Sequence, residues 1–349
     1  MKATTIGFDL AKAEFQVHGV DARGKAVIRK KLRRAQVLPF FAKLSACTVG
    51  MEACASAHHW ARKLAELGHT PKLMAPQFVK PYVKANKTDA ADAEAICEAV
   101  ARPNMRFVPV KSVEQQAILA VHRVRSGLVA ERTAELNRLR GLLAEFGLIA
   151  PRGRGALMER LPALFADETL PGVARHLFER QSTRIRELEE QISAEEAVIL
   201  NWHRNNELSK CIDEVAGVGP ITATAVVASF GEAREFDNGR QMAACVGLVP
   251  RQHSSGGKTR LLGISKRGDP YLRMLLIHGA RAVIRGLERR AAKGTPNRTD
   301  QWLNKLLARR NPNVAAVALA NKTVRVIWAL LAHGRTYDRN WSGQKTAAA

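Results

Sequence analysis

The chain of 349 residues is poor in acid: 32 Asp and Glu stand against 55 Lys and Arg, a net charge of +23 with a pI near 10.4. A field of that sign and size fits a polyanionic partner, because neutralised phosphates release condensed counterions. It says nothing by itself about chemistry. Paired cysteine is missing too. The five thiols, Cys47, Cys54, Cys97, Cys211 and Cys245, include no Cys-x-x-Cys. An odd, scattered set builds neither a disulfide framework nor a zinc knuckle, and reads as reduced, buried thiols of a cytoplasmic protein. No apolar core of the secretory kind precedes the first strand-like segment. The most apolar stretch, Val314 to His333, is interrupted by Lys322 and Arg325, so it reads as a core helix rather than a membrane span.

What is present is 46% hydrophobic and 25% charged, the composition of an ordered globular protein, with length for two domains and a helical insert. The charge is unevenly spread. Residues 1–110 carry 18 Lys/Arg against 9 Asp/Glu, residues 111–230 carry 15 against 16, and residues 231–349 carry 22 against 7. Two basic segments flank a neutral spacer, as two separate nucleic-acid-binding bodies would.

Periodicity gives the organisation. Strands are expected around Ile6–Phe8, Phe15–Val20 and Lys25–Arg29, then a helix bearing Val37, Leu38, Phe41 and Leu44. A short strand from Cys47 to Met51 ends at Glu52. A helix over Ala57–Leu67 stops at Gly68, and Pro71–Met74 is a further strand. Thr88 is placed to cap a helix from Asp89 to about Ala101. A meander followed by alternating helix and strand is an α/β pattern of the ribonuclease-H kind.

From Val113 to Phe146, apolar Val121, Val124, Leu128, Leu136, Leu139, Leu143 and Phe146 follow helical spacing. A second helix over 173–202 carries Leu177, Ile185, Leu188, Ile192, Ile199 and Trp202. The Gly/Pro/Arg-rich stretch 151–172 links them. The pair reads as an antiparallel hairpin or a dimerisation coil, a packing surface without chemistry. Beyond Lys210 helices are expected at Ile221–Phe230, Arg240–Val246, Pro270–Arg285, Thr299–Arg309 and Val314–Leu331. Residues from about 340 onward read as a tail.

Four carboxylates stand out. Asp is a poor strand former, yet Asp9 follows an apolar strand in Gly7-Phe8-Asp9-Leu10-Ala11-Lys12, and Glu52 leaves another. Asp89 and Asp92, three apart, share a helix face. Carboxylates converging at strand ends and on one helix are what hard cations need, and paired Mg²⁺ ions clamp the attacking and leaving oxygens of a phosphodiester. The plainer reading has Asp89 and Asp92 favouring their helix N-terminus. Spacing alone leaves both open.

Three segments in order, the Gly-Phe-Asp-Leu-Ala-Lys run, Met51-Glu52-Ala53-Cys54, and Asn86-Lys87-Thr88-Asp89-Ala90-Ala91-Asp92-Ala93, closely resemble the DEDD insertion-sequence transposases, the family of RNA-guided "bridge" recombinases. The resemblance spans roughly residues 1–335. It implies a RuvC-like, ribonuclease-H-fold domain with Asp9, Glu52, Asp89 and Asp92 as a Mg²⁺-binding tetrad holding two ions. It also implies a mostly helical C-terminal transposase domain, and a prokaryotic, nucleoid-associated protein. The implied domains are 1–112, catalytic; 113–206, helical spacer; 207–335, C-terminal; and 336–349, flexible tail. Its implied partners are DNA (element ends and target site), a structured guide RNA from the element's non-coding end, and further copies of itself, as a dimer or a tetramer on DNA.

In the C-terminal half, Val215-Ala216-Gly217-Val218-Gly219-Pro220 looks like a helix-hairpin-helix turn whose amides face a phosphate; an ordinary helix–helix turn explains it equally. In Gly247-Leu248-Val249-Pro250-Arg251-Gln252-His253-Ser254-Ser255-Gly256, the family's anchor implies that Ser255 is a nucleophile on DNA. Adjacent Ser254 and an uncatalytic Ser/Gly loop are the alternatives. The family's Arg-Arg pair is Arg251-Gln252 here, which blurs the phosphate contacts. Lys12, Lys87, Arg251, Lys258, Arg260, Lys266, Arg267 and Arg273 are expected on nucleic-acid backbone, the bland alternative being a solvated basic face. His58, His59 and His253 receive no role. Two rival functions remain at this point: a junction-type nuclease with a water nucleophile, and a non-catalytic nucleic-acid-binding protein.

Overall fold

In the computed structural model the chain divides into two compact units, Met1–Ser112 and Val113–Ala349. Residues 2–84, 88–292, 294 and 298–338 are described. Asn86 and Lys87 of the acidic-helix motif, and the expected tail from 339 on, lie outside the described residues.

The first unit runs β1 (Thr5–Asp9), β2 (Glu14–Val20), β3 (Ala26–Arg33), α1 (Val37–Ala42), β4 (Thr48–Glu52), α2 (Ala57–Glu66), β5 (Thr70–Met74), α3 (Pro76–Val79), α4 (Asp89–Val100) and β6 (Phe107–Val108). Its six-stranded sheet has the order β3-β2-β1-β4-β5-β6. The meander β1–β2–β3 is antiparallel, β1, β4 and β5 are parallel, and β6 closes the far edge antiparallel to β5. Alternation sorts the faces. Phe8 and Phe15 point to one side, where they meet Phe41 of α1 and Trp60 of α2 with ring centroids 5.2–6.2 Å apart. The residues between them point to the other side, toward α4, which packs across β1, β2 and β4.

The second unit comprises α5 (Val113–Glu145), α6 (Arg154–Phe165), α7 (Gly172–Arg204), α8 (Glu207–Asp213), α9 (Pro220–Phe230), α10 (Gly239–Val246), β7 (Pro250–Ser255), β8 (Lys258–Ile264), α11 (Pro270–Arg285), α12 (Leu287–Ala292), α13 (Arg298–Leu307) and α14 (Pro312–His333). Helices α5 and α7 run antiparallel, tied by Arg125 to Glu196 at 2.5 Å, Arg184 to Glu131 at 3.6 Å, and the Trp202 indole donating to Glu114 at 2.7 Å. Both also pack on α9. Helix α14 is the centre of the C-terminal core: Ala316, Ala320, Val324 and Ile327 are buried in it, and the helix packs on α10 and α11. It is the one described helix long and apolar enough to cross a membrane by length and composition, and half of its most apolar stretch is buried.

Two expectations need correction and a third gains a detail. The stretch 151–172 is no plain linker, since α6 occupies most of it and buries Leu157, Leu161 and Leu164 against Leu139, Leu143 and Phe178. The C-terminal half is mostly helical, as expected, and adds one antiparallel hairpin, β7 and β8, in the serine segment. Val124, counted in the apolar stripe of α5, is half exposed, and the polar His122 takes a buried place instead.

Candidate active site

The acidic site is built by two glycines as much as by the acids. In β1, Gly7 precedes Asp9 by two; in β4, Gly50 precedes Glu52 by two. Side chains two apart share a face, so each glycine lies under α4 on the face that its carboxylate occupies. A Cβ at Gly7 would stand 2.0 Å from the Ala93 carbonyl oxygen and 2.5 Å from the Cys97 amide nitrogen; one at Gly50 would stand 2.8 Å from the Cβ of Val100. The alanine-rich helix therefore rests directly on the sheet backbone, and its first turn overhangs the end of β1.

That turn carries the other two acids. The Thr88 hydroxyl caps α4 by accepting from the Ala91 amide at 3.2 Å, as expected from sequence. Asp89 and Asp92 both lie in the first turn, where the helix dipole favours negative charge. Carboxylate oxygens of Asp9, Asp89 and Asp92 come within 4.8 Å of one another. Glu52 lies outside that tight group. The β1–β4 register, Thr5 with Thr48 through Gly7 with Gly50, brings Asp9 level with Glu52 when it is continued by two residues. The two carboxylates influence each other electrostatically.

Asp9 is pushed up to about 6 from the ordinary 3.8. Burial is the main cause, followed by repulsion from Asp92, Asp89 and Glu52; an amide hydrogen bond from Leu10 works weakly the other way. Burial, with Glu52 and Asp9 nearby, also raises the Cys54 thiol. The arrangement is thus electrostatically unfavourable for the bare protein. Such a cluster is more characteristic of a binding site than of a stabilising structural motif.

Ser255 lies in the second unit, as the last residue of β7. Both glycines of the following two-residue turn, Gly256 and Gly257, have positive φ (56° and 76°), which is what so tight a reversal demands. Ser255 pairs with Lys258, and His253 with Arg260. Directly opposed residues share a face, so Ser255, His253, Lys258 and Arg260 line one side of an exposed hairpin. Ser254 faces the other side, and its hydroxyl accepts from the Gln252 amide at 2.8 Å.

The remaining candidates divide. Arg251, Lys258, Arg260, Lys266 and Arg267 are exposed on or beside the hairpin, and Lys12 is exposed in the β1–β2 turn. Gly219 caps α9 with open space where a Cβ would be. Gly217 has a packing duty instead: it meets Gly279 of α11 backbone to backbone, a Cβ on Gly279 falling 1.8 Å from the Gly217 oxygen. Arg273 donates to the carbonyls of Val246 (3.0 Å) and Arg267 (3.1 Å), joining the end of α10 to the segment after β8. It braces the hairpin base, whereas the sequence had grouped it with backbone-binding cations. Among the histidines, His58 accepts from the Lys111 amide at 3.2 Å, a structural contact.

Residues 209–294 match the family described as "Transposase IS116/IS110/IS902 family", and residues 6–147 match a DEDD-type family described as "Transposase". A "Probable family 20 transposase" of Pseudomonas aeruginosa is 55% identical over 97% of this chain and 99% of its own length. The "Transposase for insertion sequence element IS1111A" of Coxiella burnetii is 44% identical over 95% of this chain and 90% of its own. That for element IS1328 of Yersinia enterocolitica is 41% identical over 96% and 99%. The chain belongs to the IS110/IS116/IS902 family of transposases. The acidic cluster of this transposase lies in the region matched over 6–147, and the serine hairpin lies in that matched over 209–294.

The two glycines under α4 were passed over in reading the sequence. The signal was there, as a repeated Gly-x-acid at the end of two short apolar strands.

Proposed function

We propose that this transposase cuts and rejoins DNA with a two-part site, in which Asp9, Glu52, Asp89 and Asp92 hold two Mg²⁺ ions and Ser255 attacks the scissile phosphate. The observation that carries the acidic half is the convergence of Asp9, Asp89 and Asp92 oxygens within 4.8 Å, with Asp9 pushed up to about 6 by burial and its neighbours. An all-oxygen donor set suits a hard cation, and the mutual repulsion is what a cation relieves. When bound, such ions neutralise charge on the attacked phosphate and on the departing oxygen.

The serine supplies the nucleophile. Its Oγ forms a bond to phosphorus as the bond to the deoxyribose oxygen breaks; the hydroxyl proton leaves and the departing oxygen gains one. One ester replaces another, so the cut strand stays activated on the protein. A hydroxyl of a second DNA end then reverses the step and frees Ser255. Lys258 and Arg260, on the serine's side of the hairpin, hold non-bridging phosphate oxygens. Arg251, Lys266, Arg267, Lys12, Lys87 and the amide of Gly219 bind backbone. Gly217 supports that turn from within.

In this reading residues 1–112 are the catalytic domain, 113–206 the helical arm and 207–335 the serine-bearing domain. Asp9 and Ser255 meet between copies in an oligomer on DNA, and a structured RNA from the element's non-coding end selects donor and target.

The test is a denaturing gel of the protein incubated with its element-end DNA and Mg²⁺. A covalent protein–DNA band is expected for the native chain and for Ser254→Ala, and none for Ser255→Ala. Strand cutting that survives in Ser255→Ala would move the nucleophile to water, as in a junction-type nuclease. Asp9→Asn and Asp92→Asn should bind DNA and fail to cut. RNA that co-purifies should map to the neighbouring non-coding DNA; random cellular RNA would overturn the guided reading.

A further inference from the structure

The face that carries Asp9 does not end at β1. Asp9 is paired with Gln16 of β2, and Gln16 with Lys31 of β3. Two residue pairs to either side, His18 is opposed by Arg29 and Glu14 by Arg33. Opposed residues share a face, so Arg29, Lys31 and Arg33 all project on the side of the sheet where the carboxylates stand. All three are exposed, and β3 is the sheet's outer strand. The alternate residues of β3 turn the other way: Leu32 enters the aromatic core and Lys30 lies 5.4 Å from the centre of the Phe40 ring. Three like charges at alternate positions of one strand, all on the active face, repel one another unless an anion lies across them.

We propose that Arg29, Lys31 and Arg33 form a phosphate rail for the DNA strand that enters the acidic site, an inference that rests on the reading of that site given above. Strands lie ~4.8 Å apart, so Lys31 stands ~10 Å from Asp9 across the sheet. Successive phosphates of one DNA strand advance ~3.4 Å along the axis. Because the backbone also winds about that axis, a strand whose scissile phosphate sits at Asp9 and Asp92 brings the phosphates about one or two nucleotides away over the rail. In the free chain Lys31 is ion-paired with Glu14 across the β2–β3 pair, both side chains more than half exposed. Such a pair is weak, and a phosphate displaces the carboxylate. Glu14 is thus a brake on the rail.

The other use of cations on an edge strand is to keep it from pairing with other strands. The two uses separate in one experiment. The full-length protein is titrated, without divalent metal, against a fluorescein-labelled DNA duplex of arbitrary sequence over a range of NaCl concentrations. For Arg29→Ala/Lys31→Ala/Arg33→Ala, the slope of log affinity against log salt should flatten by about 2 to 3, at ~0.9 per lost phosphate contact, and affinity near physiological salt should fall at least about tenfold. Glu14→Gln should tighten binding about two- to threefold. Removing three exposed arginines of the spacer, Arg160, Arg180 and Arg186, should leave the slope unchanged. A slope unmoved by the β3 triple variant, or moved as far by the spacer triple, overturns the proposal; so does a triple variant that only aggregates while its monomeric fraction binds normally. Because metal is absent, the result is independent of the acidic site's chemistry, which Asp9→Asn tests separately by cutting.

Discussion

Gly7 of β1 lies against the Ala93 carbonyl of α4 so closely that a single methyl group at Gly7 would stand 2.0 Å from that oxygen. Backbone cannot yield there as a long side chain can, because Ala93 sits in the middle of a hydrogen-bonded helix. Gly7→Ala should therefore lift α4 and separate Asp89 and Asp92 from Asp9. The expected destabilisation of the first unit is about 1–3 kcal/mol or somewhat more, the usual range for overpacking. Gly50→Ala meets the Val100 side chain at 2.8 Å and should be milder. Urea denaturation measures the first effect. Cutting of element-end DNA should fall further in Gly7→Ala than its folded fraction accounts for; activity that merely tracks folded fraction would detach the glycine from the site.

Asp9→Asn should separate stability from metal binding. Asp9 sits at about 6, well above its ordinary 3.8, so its ionised form opposes folding at neutral pH. Removing that charge in the metal-free protein should leave the Tm unchanged or raise it, the gain in stability being on the order of 1–2 kcal/mol after allowance for solvent screening. Mg²⁺ or Mn²⁺ should raise the Tm of the native chain, by mass action on the folded state, and should not raise that of Asp9→Asn. A structural carboxylate predicts the reverse: a lower Tm in the variant, and no metal response in either.

The parts of this site that could be read directly from sequence are those with strong local signatures. Thr88 ahead of Asp89 is a cap by residue type, and Ile6–Phe8 and the strand ending at Glu52 are short apolar runs; all appear in the fold. The β7–β8 hairpin lacked such a signature. Pro250–Ser255 is exposed along its whole length, so no apolar alternation marks it. Only the Gly256-Gly257 pair pointed to a two-residue turn. Helix α6 was hidden for a different reason: helix breakers punctuate it, with Gly153 at its N-cap and Gly155 and Pro162 inside, although Leu157, Leu161 and Leu164 keep helical spacing. The rail on β3 needed the register, because which cations share a face with Asp9 depends on pairing across three strands.

The second unit has its own pH response. His122 of α5 is buried, with its ring nitrogens 3.0 Å from the Tyr271 hydroxyl and 3.0 Å from the Thr224 hydroxyl. Burial, with Arg125 nearby, pushes it down to about 4 from 6.5. Arg125 is itself paired with Glu196. Folding thus keeps the imidazole neutral, and the unfolded chain binds the extra proton between pH 6.5 and 4. Stability from this group is complete above pH 6.5 and falls as the pH drops through that window, by up to about 3 kcal/mol. Denaturation at a series of pH values should show the slope in the native chain and a shallower one in His122→Gln, which keeps two polar ends without the titration.

Arg273 offers a way to disturb the serine without touching it. Its guanidinium bridges the carbonyls of Val246 and Arg267, which lie before and after the hairpin, at 3.0 and 3.1 Å. Two hydrogen bonds from a charged group are each worth about 1.5–3 kcal/mol at most, and less where water can replace the donor. Arg273→Ala should therefore lower stability by about 1–3 kcal/mol while leaving β7 and β8 paired with each other through their own ladder. What it loosens is the direction in which Ser255 is presented. The expected result is a slower covalent step at saturating DNA, with DNA affinity changed much less. Both hydrogen bonds leave the one Nη1 nitrogen, and a lysine ammonium also offers several donors from a single atom, so Arg273→Lys should recover part of the stability and part of the rate together. If Arg273→Ala instead weakens DNA binding in step with a flatter salt dependence, the residue holds phosphate after all, and the brace is incidental.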